Sequence, residues 1–277
     1  MGGIQNSVLR AQEIGCTAFQ IFTRSPRKWQ SVDLLDADVE LLKANLKKSG
    51  IVKDSVVVHM PYIGSLSSPD GEIYEKSIDS FTSELIRCSQ LDLHYLVINL
   101  GSGKEDGVGQ LVRGCERAID NFKRVYDNKL KVTILLQNSG GLAAVQYHSI
   151  GSKLEELREI LDRLPSKGFG ICLDTCHAFV SGYDLKTHDA CVSFIEKFDK
   201  IVNLSKLEFI HLNDSKAEIG SGLDNHEYVG LGRIGLEGFK TIINHKSLRN
   251  LPMIMEPYFV SIEDHSKKLR EMLELRD

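Results

Sequence analysis

The chain has 277 residues, 42% hydrophobic and 26% charged, with a formal net charge of −4 at pH 7. That composition is ordinary for a globular protein, and no apolar run approaches the ~20 residues needed to cross a bilayer as a helix. The acidic balance excludes a strongly basic nucleic-acid protein but leaves room for a local basic patch. No leader with basic, apolar and cleavage regions opens the sequence, so a cytoplasmic protein is expected. In that compartment the cysteines at 16, 88, 115, 172, 176 and 191 are expected to be free thiols. Cys172 and Cys176 lack zinc-ribbon spacing and a second pair, and are read as structural.

Amphipathic helices are expected near 4–14, 36–48, 71–90, 107–127, 152–163, 187–203, 236–245 and 262–275. At 152–163, for example, Leu154, Leu157, Ile160 and Leu161 recur at helical spacing. Between them fall short apolar runs: "TAFQIF" (17–22), "SVVVHM" (55–60), "YLVINL" (95–100), "KVTILLQN" (131–138), "FGICLDT" (169–175), "LEFIHLND" (207–214) and "PMIMEP" (252–257). These read as strands buried on both faces, as in a parallel sheet. No linker divides the chain, so one α/β domain over 1–277 is predicted. Seven strands and eight helices, with a helix first, predict a TIM (β/α)8-type barrel whose first strand is missing from the chain. An open doubly wound sheet is the alternative. The barrel is preferred because polar residues collect at the strand C-termini, where a barrel builds its site.

Those strand ends are His59, Asn99, Gln137, Asp174, His211 with Asp214, and Glu256. One such residue usually caps a helix or bonds a loop. Six strands ending this way point instead to a shared ligand. Imidazoles and carboxylates suit zinc or manganese. A bound metal activates water and neutralises oxyanion charge, which phosphodiester hydrolysis requires. Without a cation, carboxylates this close would repel one another. The loop "SGLDNHEYVGLGRIG" (221–235) adds Asp224 and His226, and "ICLDTCHAF" (171–179) adds His177. Asp174 and His177 are expected to serve adjacent metals, the acid inside the mouth and the histidine at its rim. His94, His148, His188, His245 and His265 are read as surface or local hydrogen-bonding residues.

After the first strand, "TRSPRKW" sets Arg24, Arg27 and Lys28 beside Trp29. Either this is a solvated loop with the indole packed inward, or the three cations neutralise phosphates. Tyr62, just after His59, is placed to stack on a base or sugar.

The motifs "GGIQNSV", "TRSPRKW", "VHMPY", "CLDTCHAFVSGYD", "HLNDSK", "DNHEYVGLGRIG" and "MEP" resemble the endonuclease IV family of DNA-repair AP endonucleases along essentially the whole chain. The resemblance implies a TIM barrel with three zinc ions that cuts double-stranded DNA on the 5′ side of an abasic site and leaves a 3′-hydroxyl. It implies flipping of the abasic nucleotide, with Arg27 and Tyr62 filling the gap. It also implies His59, Asp174, His177, His211, Asp224, His226 and Glu256 as metal ligands. The third zinc takes His177, Asp224 and His226. The second takes Asp174, His211 and Glu256 with a bridging glutamate, and the first takes His59, another histidine and that glutamate. Glu256, Asp174 and Gln137 are the candidate catalytic positions.

The chain departs from that pattern at specific places. The bridging glutamate is Gln137, the second histidine of the first zinc is Asn99, and a further family histidine is Gly103. Two arginines around the loop pair are Gly222 and Asn225, and the opening strand is absent. An amide oxygen is a weaker zinc ligand than a carboxylate and brings no charge. The first metal is therefore expected to be lost or weak, leaving one or two, with a loss of roughly 10²-fold or more in rate. Three readings follow: a monomeric AP endonuclease of reduced activity, a non-catalytic abasic-DNA-binding homologue, or a sugar isomerase-like metalloenzyme.

Overall fold

Seven parallel strands lie side by side, with helices packed outside them. The structure, a computed structural model, describes residues 3–126, 130–141, 147–256 and 261–277. In spatial order the strands are β1 (Phe19–Ile21), β2 (Val56–His59), β3 (Tyr95–Asn99), β5 (Thr133–Gln137), β7 (Phe169–Asp174), β8 (Leu207–His211) and β11 (Met253–Ile254). Two short antiparallel ribbons complete the strand set: β4 (Ser102–Gly103) with β6 (His148–Ser149), and β9 (Asp214–Ser215) with β10 (His226–Glu227). The α-helices are α1 (Ser7–Ile14), α2 (Asp36–Ser49), α3 (Gly71–Leu91), α4 (Gly107–Val125), α5 (Leu154–Arg163), α6 (Thr175–Val180), α7 (His188–Ile201), α8 (Leu236–Asn244) and α9 (Ile262–Leu273).

Helix starts follow local chemistry. Asp70 caps α3 by accepting from the Glu72 and Ile73 amides, Thr187 caps α7, and Ser261 caps α9. The seven strands and parallel topology match the sequence expectation. Nine α-helices are found among the described residues, where eight were expected. The extra one is α6, because Asp174 ends its strand and caps a helix at once, its carboxylate accepting from the His177 amide at 3.0 Å. The expected strand at 169–175 therefore stops one residue early. β1 is also shorter than 17–22, being paired on one side only. Of the expected spans 107–127 and 252–257, Asp127 and Pro257 lie outside the described residues.

The sheet buries two layers of apolar side chains. Alternate residues such as Val58, Leu96, Ile98, Leu136, Leu173 and Ile210 face the helices. The others form a separate inner cluster: Val57, Val97, Leu135, Cys172, Phe209 and Ile254, with Ala18 packed against it. Six barrel strands thus contribute a buried side chain to this filled interior, and Ala18, just before β1, packs beside them. β1 and β11 are not hydrogen-bonded to each other, and a cavity of about 1470 Å³ lies beside them, lined by Ile14, Phe19, Met253 and Leu269 among others. The near-closed ring is completed at its mouth by side chains, where Gln20 Nε2 on β1 donates to Glu256 Oε1 at 2.6 Å.

Candidate metal centre

A strand repeats its facing every two residues. Stepping two residues forward from each inner-cluster member gives Gln20, His59, Asn99, Gln137, Asp174, His211 and Glu256. The polar ring is therefore the next layer of the barrel interior. Parallel register aligns it: Asn99 lies opposite Gln137, and Asp174 opposite His211. His59, Gln137, Asp174 and His211 are all buried.

Hydrogen bonds fix which nitrogen each imidazole turns inward. His177 Nδ1 lies 2.7 Å from the Asn138 carbonyl, which can only accept, so Nδ1 carries the proton and Nε2 faces Asp174 and Asp224. Gln20 donates its amide nitrogen to Glu256, so its oxygen faces His211 Nε2 at 2.9 Å and takes that proton. His211 Nδ1 is left toward Glu256 and Asp174. His59 Nδ1 is held by the Met60 carbonyl at 2.6 Å. Locking one ring nitrogen on a backbone or amide oxygen is how metal-binding histidines are held.

The inward atoms converge in two clusters. His211 Nδ1 is 3.0 Å from Glu256 Oε2 and 3.9 Å from Asp174 Oδ2. Beside it, Asp224 stands 3.1 Å from both His177 Nε2 and His226 Nε2 through its two oxygens. Asp174 Oδ2 lies between the clusters, 3.5 Å from His226 Nε2 and 3.9 Å from His177 Nε2. The groupings Asp174–His211–Glu256 and Asp174–His177–His226 can each hold one ion, and Cys176 joins Asp224 and His226 in a third.

These residues fit a divalent cation. His177 Nε2, His211 Nδ1 and His226 Nε2 are buried, and each stands 3.0–3.1 Å from a carboxylate oxygen. Two ligands each bonded at about 2.0–2.1 Å to one zinc stand roughly 3 Å apart at the usual angles, as these donors do. Electrostatics agree. Burial alone would raise the Glu256 carboxyl, but His211, His59 and His226 hold it well below the usual range. Burial likewise opposes the charge on Asp224, yet His177 and His226 keep it ionised. His177 is pushed up to about 9, since Asp174 and Asp224 outweigh its burial. Positive charge is what this pocket favours.

Sequence reading missed three residues. Asn213 donates to Asp174 Oδ2 at 2.8 Å and to Glu256 Oε2 at 3.2 Å, while its own oxygen takes the Glu256 amide. Asn138 clasps Asp174, donating to its carbonyl and accepting from its amide. Gln20 orients both His211 and Glu256. The available signal was position: Asn138 and Gln20 lie on or beside inward strand ends, and Asn213 follows one by two. His177, expected at the rim, is carried by α6 just past the strand end and is largely buried.

The loop after β1 divides into two parts. Arg27 and Lys28 are exposed, and Tyr62 is 54% exposed with its ring against Phe22 and His59. Tyr62 is tied to that loop by its amide, which donates to the Pro26 carbonyl at 3.2 Å. Arg24 corrects the expected three-cation patch. Its side chain is 5% exposed, its Nε is 2.7 Å from Glu84 of α3, and its Nη1 donates to the Trp29 carbonyl. Glu84 also accepts from Thr23, and Arg87 donates to Thr23 and to the Val32 carbonyl. Arg24 braces the loop from within.

A near-closed parallel barrel with His and carboxylate clusters at its strand C-termini defines a TIM-barrel protein built to hold metal. Comparison with known proteins places it more closely. The family model for xylose isomerase-like TIM barrels matches residues 8–275. The chain is 44% identical over 256 residues to "Probable endonuclease 4" of Cenarchaeum symbiosum (strain A), covering 92% of this chain and 89% of that protein. The crystal structure of endonuclease IV from Thermus thermophilus superposes with a TM-score of 0.85 at 29% identity, covering 99% and 94% of the two chains. A D-tagatose 3-epimerase-like protein shares the fold alone, at 19% identity and a TM-score of 0.68 over 99% and 94%. The chain belongs to the endonuclease IV family.

Proposed function

We propose that this protein is a metal-dependent AP endonuclease, a cytoplasmic monomer that hydrolyses the phosphodiester 5′ to an abasic site in double-stranded DNA. The observation that carries this reading is the convergence of buried imidazole nitrogens and carboxylates at the barrel mouth. Zinc is the expected ion, with manganese as a substitute. His211, Asp174 and Glu256 would hold one ion, and His177, Asp224 and His226 another. When bound, such ions supply a nucleophilic water at neutral pH and Lewis-acid neutralisation of the phosphate oxygens.

The chain's own residues supply the rest. Glu256 and Asp174 are the ring carboxylates able to accept hydrogen bonds from attacking water, and Asn213 holds both in place. Gln137 donates to Asp174 Oδ2 at 3.4 Å. As an amide it can orient a neighbour but cannot accept a proton at neutral pH. Arg27 and Lys28 neutralise phosphates beside the mouth, and Arg27 with Tyr62 fills the gap left by a displaced abasic nucleotide.

Incubating the folded protein with a duplex bearing one abasic site, with zinc or manganese supplied, tests the reading. Cleavage 5′ to the site with a 3′-hydroxyl end is expected, and absence of cleavage would overturn it. One observation favours a second reading, that of an abasic-DNA-binding homologue without incision: Asn99 and Gln137 lie side by side where the family pattern has histidine and glutamate. Retarded migration of the abasic duplex without any cut product would select that reading.

A further inference from the structure

Resting on the reading that His177, Asp224 and His226 hold a cation, we infer that Asp214 is the positioning residue for this cluster. It touches none of these ligand atoms and acts by fixing the loop that carries two of them. Asp214 is fully buried, on β9. Its carboxylate accepts backbone N–H bonds from Ser215 (2.8 Å) and Ile234 (2.9 Å) at Oδ1, and from Gly230 (2.9 Å), Gly232 (3.0 Å) and Gly235 (3.4 Å) at Oδ2. Four of these five amides belong to the segment running from His226 to α8. That segment has no sheet partner past Glu227, so its buried amides need another acceptor.

The glycines of "GLGRIG" are explained by this one carboxylate. Gly230 and Gly235 take left-handed φ values of 80° and 82°, turning their N–H groups inward. A Cβ on Gly232 would meet Asp214 Oδ1 and the Ser215 carbonyl at 2.5 Å each. Around the same point the ribbon is pinned on both sides. The Arg233 amide donates to the Ser215 carbonyl at 2.7 Å, and the Lys216 amide to the Asn225 carbonyl at 2.9 Å. The ribbon sets His226 opposite Ser215, one residue from Asp214. The spacing of His226 and Asp224 from His177 therefore descends from a carboxylate that holds backbone alone.

The test uses full-length protein stripped of metal and then reloaded with zinc. In wild type, hydrogen exchange at the Gly230, Gly232 and Ile234 amides is expected to be slow without metal. In Asp214→Asn, which puts an N–H₂ group among donors, exchange should quicken by about tenfold or more. On reloading, Asp214→Asn should hold one zinc fewer than wild type, with the ion at Asp174, His211 and Glu256 retained. Gly232→Ala should reproduce both results and decides the matter if Asp214→Asn does not fold. Phe239→Leu, a core change in α8, should lower stability yet keep the wild-type zinc count. Unchanged exchange and zinc count in a folded Asp214→Asn or Gly232→Ala would overturn the inference. Protected amides in a wild type that binds no zinc at the loop cluster would instead overturn the metal reading and remove this role with it.

Discussion

The side-chain oxygen of Gln137 stands 3.1 Å from Nε2 of His59. His59 donates its Nδ1–H to the Met60 carbonyl, and burial lowers its pKa, so the neutral ring turns its Nε2 lone pair toward the amide oxygen's. A cation is the species that reconciles two such acceptors. Neither of them is charged, so this corner attracts metal only weakly. Replacing Gln137 by Glu, together with Asn99 by His, should raise incision of abasic duplex by roughly 10²-fold or more. The double variant should also bind an additional zinc. Unchanged cleavage and zinc content would show that these two amides do not limit the site.

Gln20 is the side chain whose loss should loosen the ring without removing a ligand. It donates to Glu256 and accepts from His211, fixing the carboxylate and the tautomer together. Gln20→Ala should weaken zinc binding by about 10–100-fold, measured by competition with a chromogenic chelator. Wild-type affinity in this variant would mean that His211 and Glu256 hold their places unaided.

Arg24 and Arg27 are close in sequence and should behave in opposite ways. Glu84→Ala leaves Arg24 and Arg87 buried without their carboxylate and should cost about 3–5 kcal/mol in urea unfolding. Arg27→Ala and Lys28→Ala should leave stability nearly unchanged. Each should reduce the salt dependence of duplex binding by about one phosphate contact. If Arg24→Ala altered the salt dependence as much as Arg27→Ala, Arg24 would face DNA after all.

The thiols should be inert in the native state. Burial pushes Cys115, Cys176 and Cys191 up to about 12 and raises Cys88 and Cys172 as well, so thiolate is scarce at about pH 8. Below those pKa values the thiolate fraction rises about tenfold per pH unit, so native-state labelling should be slow at about pH 8 and climb by about that factor one unit higher. An aromatic disulfide reagent should label Cys16, which is half-buried, slowly, and all six only after denaturation. Rapid labelling of Cys172 or Cys176 in native protein would contradict the packed interior described here.

Most of the site was legible because strands alternate. Once "VVVH", "LVIN", "ILLQ" and "ICLD" are read as strands, the last residue of each shares the facing of the residue two before it, and the ring follows. Gln20 escaped because "TAFQIF" places it mid-run, with no turn after it to mark an end. Its importance comes from Glu256, far away in sequence, which no local pattern reveals. α6 was missed because Asp174 serves as strand end and helix cap together, and six residues are too few for helical periodicity to show. Arg24 looked like a surface cation because its partner Glu84 sits within an ordinary amphipathic helix. Only packing α3 against the loop brings the two together.

The most direct test of the account is the number of zinc atoms per folded chain after dialysis at neutral pH, by elemental analysis. About two are predicted, one at Asp174, His211 and Glu256 and one at His177, Asp224 and His226, with the count falling by one in His211→Ala. A chain that holds none would contradict the metal centre itself, and one that holds three would contradict the weakness assigned to the Gln137–His59 corner.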